Sequence, residues 1–135
     1  MWPFKRRRAA SSVPVGAVDL RGLESTRVRV KGTAHYVAQE LRESMGGPVY
    51  VLRREPGNPH DGWALAVWWG EQRVGYVSAA KAAALSPLLD RVGDTFVVSG
   101  MGAYTNSTRL WVDLPKVPAL RAFVGSRSVG GSSTF

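Results

Sequence analysis

Three short apolar stretches between residues 49 and 77 leave almost no chain between them. In Val49–Arg54, Val49 and Val51 fall on one side and Tyr50 and Leu52 on the other; this period-two alternation is that of a strand. Pro56-Gly57-Asn58-Pro59 follows at once. Each proline fixes its own φ and drives its predecessor out of the helical region, so the chain must turn. Residues 63–69 form a second strand, Gly70-Glu71-Gln72 a hairpin connection and residues 73–77 a third strand. Connections this short join antiparallel neighbours, because a parallel pair needs a crossover of about a dozen residues or more.

The rest of the chain extends the pattern. Residues 27–31 set Val28 and Val30 against Arg27, Arg29 and Lys31, and Gly32 closes the run. Thr95–Met101 and residues 109–114 read as further strands around a polar loop at 102–108. Helix signals occur in one region. Ser78 is a candidate N-cap for residues 79–85, and Ser86-Pro87 repeats the signal, which predicts a second short helix through Arg91. The order β-β-β-β-α-β-β predicts a mostly-β domain, a small barrel or strongly curled sheet. With one segment able to supply a crossover helix, an alternating parallel α/β fold is not expected.

Length and charge divide the chain. Its 135 residues suit one domain with a small core. Lys and Arg number 18 against 10 Asp and Glu, a net of 18 − 10 = +8. Residues 25–115 hold 10 basic and 8 acidic side chains, so most of the excess lies in the flanks, including Lys5, Arg6, Arg7 and Arg8. We therefore expect a flexible basic N-terminal tail over 1–24, a folded domain over 25–115 and a flexible, Gly/Ser-rich C-terminal tail over 116–135. A basic tail attracts phosphates without reading sequence. The residues after Arg8 are too polar for a signal peptide, and no apolar run approaches the roughly 18 residues that span a bilayer. No membrane association and a cytoplasmic location are expected. The absence of cysteine removes disulfides, iron–sulfur clusters, thiolate zinc sites and cysteine nucleophiles.

One stretch is more specific. Arg54-Glu55-Pro56-Gly57-Asn58-Pro59-His60-Asp61, then Ala64-Leu65-Ala66-Val67, then Arg73-Val74-Gly75-Tyr76-Val77, resembles the HIRAN domain family. That family's pattern is a strand ending in Gly, an R-x-P-x-N-P-Y-D-x-x-A-I-x-V core, a V/I-G-Y/H strand and an Ala-rich helix with a leucine pair. The outer parts are Val30-Lys31-Gly32, residues 79–84 and Leu88-Leu89 here, so the match spans roughly residues 27–89. The resemblance implies a six-stranded, OB-like antiparallel barrel with one or two short helices inserted between strands 4 and 5. It further implies a DNA-binding module that takes single-stranded DNA or free 3′ ends and serves DNA repair or replication. With no G-x-x-x-x-G-K-[S/T] loop, the chain resembles the stand-alone members that lack a helicase.

The resemblance also implies the site. The family's aspartate that contacts a terminal 3′ hydroxyl maps onto Asp61. The assignment is chemically sound, since an ionised carboxylate accepts from a hydroxyl and repels a phosphate. Tyr36, His60 and Tyr76 would stack the last bases, at about 1–3 kcal/mol each. Where the binding form has an arginine and two tyrosines, this chain has Ala34, His35 and Tyr36. Arg54 remains as a phosphate ligand. The nucleic-acid-binding set is thus Asp61, Tyr36, His60, Tyr76, His35 and Arg54.

Other roles stand beside these. Asp61 can lock its own turn by accepting from the amides of Gly62 or Trp63, a role compatible with the first. Asn58 suits a turn, Arg54 a surface ion pair, and Trp63, Trp68, Trp69 and Trp111 suit packing. His60 and Asp61 are adjacent and point apart, so no metal is expected with His35, and no cofactor is implied. A nuclease or other hydrolase lacks its carboxylate cluster or triad, so no enzyme is expected. The alternative function is a protein-interaction adaptor on the same barrel, without DNA end recognition. A monomer is expected.

Overall fold

A computed structural model describes residues 13–103 and 109–132. The basic run at 5–8 and most of the polar loop at 102–108 lie outside the described residues. In chain order the elements are β1 (Val18–Asp19), β2 (Ser25–Arg29), α1 (Thr33–Tyr36), a 3-10 turn (Gln39–Ser44), β3 (Val49–Arg54), β4 (Leu65–Trp69), β5 (Gln72–Tyr76), α2 (Ala79–Leu89), β6 (Thr95–Met101), β7 (Trp111–Pro115) and α3 (Val117–Ser132).

The strands form one seven-stranded sheet in the order β2-β7-β6-β3-β4-β5, with β1 beside β6. Every pairing is antiparallel except the parallel β1–β6 pair. The ends of the order meet where Lys31, just past β2, bridges Tyr76 of β5. Both backbone hydrogen bonds of that bridge form, Lys31 amide to Tyr76 carbonyl at 2.8 Å and the return bond at 2.9 Å. The sheet is therefore curled into a half-barrel, consistent with the expected OB-like fold. Tyr50, Leu52, Leu65, Val67, Val74, Phe96, Val98 and Val112 fill its interior.

Three features correct the expectation. β1 lies within the segment read as a tail. Val18 and Leu20 are buried, and the Leu20 amide donates to the Val97 carbonyl at 2.9 Å. Val18-Asp19-Leu20-Arg21 does alternate apolar with polar, but so short a run between Gly16 and Gly22 does not mark a strand by itself. The C-terminal segment, also read as a tail, forms α3 instead. Leu120 and Val124 sit four apart on one helical face, both buried in the core against which α2 also packs. That burial outweighs the poor helix propensity of the Gly/Ser-rich sequence. Finally, α2 is one helix that runs through Pro87 rather than two. The Ser86 hydroxyl does not cap a second helix; it donates to the Trp63 carbonyl at 2.8 Å.

Candidate nucleic-acid interface

The 56–61 segment first builds a turn. Asn58 Oδ1 accepts from the amides of His60 (2.8 Å) and Asp61 (3.3 Å), and Asn58 Nδ2 donates to Glu55 Oε1 at 3.1 Å. Asp61 Oδ1 accepts from the Trp63 amide at 2.9 Å. These are Asx-type bonds, in which a short side chain replaces a backbone acceptor. Asp61 is only half-buried, and its Oδ2 has no hydrogen-bond partner among the described residues.

That carboxyl borders a hollow of about 520 Å³, whose walls include Tyr36, His60, Asp61 and Tyr76. Four of the six predicted site residues thus meet at one place. Tyr36 arrives there because Gly32 takes φ 78° and swings the chain from the Lys31 bridge into α1. Gln72 Nε2 then donates to the Tyr36 carbonyl at 2.9 Å and holds α1 on β5. Tyr76 arrives through Gly75 (φ 152°), where a Cβ would collide with the Lys31 carbonyl oxygen and lie 2.6 Å from the Val30 side chain. The glycine of the V-G-Y strand therefore admits the bridge that closes the half-barrel. The two tyrosine rings stand 5.7 Å apart with 56° between their planes.

Arg73 supports the two tyrosines of the wall without lining the hollow itself, and the sequence reading missed it. Its guanidinium lies 4.7 Å from the Tyr36 ring centroid and 5.6 Å from that of Tyr76. Nη1 donates to the Tyr76 hydroxyl (3.0 Å) and to Glu55 Oε2 (3.3 Å), while that hydroxyl donates to Glu55 Oε1 at 2.7 Å. In a regular strand, residues three apart face opposite ways. Here the β4–β5 register shifts between Val67, opposite Gly75, and Trp68, opposite Arg73. Val74 is the additional residue of this bulge, and it returns Arg73 to the side of Tyr76. Desolvation and the neighbouring Glu55 carboxylate push the Tyr76 phenol up to about 12, so it stays a donor.

Two predicted residues lie elsewhere. Arg54 is a correction: its side chain is 2 % exposed and it is not part of that wall. Nε and Nη2 form a bidentate pair with Asp90 at 2.7 and 3.1 Å, and Nη1 and Nη2 donate to the carbonyls of Ala64 (2.8 Å) and Gly62 (3.0 Å). A guanidinium so engaged ties the turn to α2 and is not a phosphate ligand. His35 meets Tyr36 edge-on at 6.5 Å but lines a second hollow, of about 290 Å³, with Arg29, Lys31 and Arg109. Trp68 and Trp69 face opposite ways, Trp69 onto the core and Trp68 beneath the Arg53 guanidinium, which lies 5.3 Å from the Trp68 ring centroid. Among the described residues no cluster of three metal-ligating side chains occurs, and no helix is long and apolar enough to cross a membrane.

The model of the HIRAN domain family matches residues 23–114. The crystal structure of a protein from Lactobacillus plantarum is similar, with 21% identity and a TM-score of 0.52 over 67% of this chain and 90% of that one. The crystal structure of the HIRAN domain of human HLTF shows 23% identity and a TM-score of 0.49, over 73% of this chain and 81% of that one. No curated protein matches.

Proposed function

The chain belongs to the HIRAN domain family, a nucleic-acid-binding module rather than a catalytic one, and on that premise we propose that it binds single-stranded DNA and lodges a free 3′ end between Tyr36, Tyr76 and Asp61. The observation that carries this reading is a hollow in which two tyrosine rings come together with a carboxylate oxygen that has no hydrogen-bond donor among the described residues. The rings offer flat faces on which any base stacks, at about 1–3 kcal/mol per base. Asp61 Oδ2 accepts from the terminal hydroxyl, while Oδ1 stays with the Trp63 amide and fixes the carboxyl's direction. A 3′ phosphate in that place meets like charge. His60 covers the hollow from the turn. On this reading the chain serves DNA repair or replication-associated processes, in the cytoplasm.

The test is a titration of labelled single-stranded DNA ending in a 3′ hydroxyl or a 3′ phosphate, at two salt concentrations. Asp61→Asn keeps an acceptor for the Trp63 amide and removes the charge. The wild type should prefer the hydroxyl by about tenfold, the worth of one charge-assisted hydrogen bond. Asp61→Asn should lose most of that preference. Equal affinity of the wild type for both ends would overturn end reading.

A further inference from the structure

Strand β2 carries more positive charge than its pairing uses. Arg27 is matched across the β2–β7 ladder by Asp113, with bonds of 2.7 and 3.0 Å. Arg29 instead faces Trp111, and the Val30 amide donates to the Leu110 carbonyl at 2.8 Å. Lys31 and Arg109 lie just past the Arg29–Trp111 end of this ladder. All three cations are exposed and line the hollow of about 290 Å³ with His35, and no Asp or Glu is among the described residues of its wall. Arg29 and Lys31, two apart on an extended chain, are spaced by about 6.6 Å along the backbone. That spacing lets them address separate anionic groups of one linear polyanion.

The position of this hollow gives the charge a direction. Lys31 lines both hollows, and its bridge to Tyr76 fixes it at their boundary. The carboxylate of Asp61 belongs to the first hollow only and the two arginines to the second only. A strand lying across both meets negative charge at one end and positive charge along the rest.

We propose that the Arg29–Lys31–Arg109 hollow is a phosphate subsite for a nucleic-acid strand. Joined to the end-binding reading, on which this direction rests, it receives the phosphates on the 5′ side of the terminal nucleotide.

The full chain carrying Arg29→Gln and Arg109→Gln is compared with the wild type and with Lys81→Gln, an exposed control outside both hollows. The probes are a thymidine dinucleotide with a 5′ hydroxyl or a 5′ phosphate, each with a free 3′ hydroxyl, and a longer thymidine strand. The wild type should bind the 5′-phosphorylated dinucleotide several-fold more tightly, and the double variant should show no such gain. For the longer strand, the slope of log affinity against log salt should shrink by about 1.4, or about 0.7 for each phosphate that is no longer neutralised. The thermal midpoint and the preference for a 3′ hydroxyl should persist. If the double variant keeps both the 5′-phosphate gain and the wild-type slope, the subsite is wrong. If the wild type ignores the 3′ end while the double variant still loses slope, the subsite stands and the end reading fails.

Discussion

The Tyr36 and Tyr76 rings lie 5.7 Å apart, one on helix α1 and the other on strand β5, with the Arg73 guanidinium against both. The pair separates a stacking role from a structural one. Tyr76→Ala removes the face on which a base would lie and should weaken single-strand binding by about 1–3 kcal/mol. Tyr76→Phe keeps the face and deletes the donor to Glu55. It should cost about 1 kcal/mol of folding stability and leave affinity nearly unchanged. Fluorescence anisotropy and denaturant titration of the two variants measure each effect; equal affinity losses would count against stacking.

Arg54 should behave as a fold residue. Arg54→Met leaves the carbonyls of Gly62 and Ala64 without their donor and should cost about 3 kcal/mol. Asp90→Asn leaves a buried guanidinium with a weaker partner, so it too should lower the thermal midpoint. Neither should change the salt dependence of binding. A variant with an unaltered midpoint and a shallower salt slope would restore Arg54 as a phosphate ligand.

Gly75→Ala should be among the most damaging single-methyl additions. The new Cβ would meet the Lys31 carbonyl, at a φ that L residues rarely adopt. We expect a loss of about 2–3 kcal/mol, together with faster hydrogen exchange of the Lys31 and Tyr76 amides. Normal protection of those amides in a stable variant would contradict the account of the bridge.

Alkaline pH should act through two phenols. Burial pushes Tyr50 up to about 12, and desolvation with the Glu55 charge does the same for Tyr76, each from 10.0. The folded state therefore holds these protons where the unfolded chain has released them. The stability they contribute is whole below about pH 10 and is lost as pH rises through about 12. Denaturant midpoints measured across that window should fall, and less steeply for Tyr50→Phe. Tyrosinate absorbance appearing in full near pH 10 in the folded protein would refute the shifts.

Truncation should separate charge from fold. Removing residues 1–12 deletes Lys5, Arg6, Arg7 and Arg8 and should reduce the salt slope without unfolding the domain. Removing residues 1–24 also takes Val18 and Leu20 out of the core, at about 1.5–3 kcal/mol each. Its thermal midpoint should drop sharply. Loss of all DNA binding in the shorter truncation would instead favour the adaptor reading.

The elements legible in the sequence were those whose own residues carry the signal. Val49–Arg54 and Thr95–Met101 appear with the expected bounds because dense apolar runs between strong breakers leave no competing structure. The 58–61 turn was legible because Asn and Asp bond to their own backbone. What escaped depends on partners distant in sequence. The burial of Arg54 requires Asp90, the order of α3 requires a core for Leu120 and Val124, and the place of β1 requires an edge of β6. Tyr36, His60, Asp61 and Tyr76 could be gathered through the family pattern, whereas Arg73 could not, because strand parity assigns it to the other face.

The bulge at Val74 acts as a frameshift at the scale of side chains. Deleting that residue would leave every other side chain of β5 chemically intact and still carry the Arg73 cation to the far side of the sheet from Tyr76. Homologous strands that differ in length by one position here would thus differ in which surface is positive, even where their letters agree.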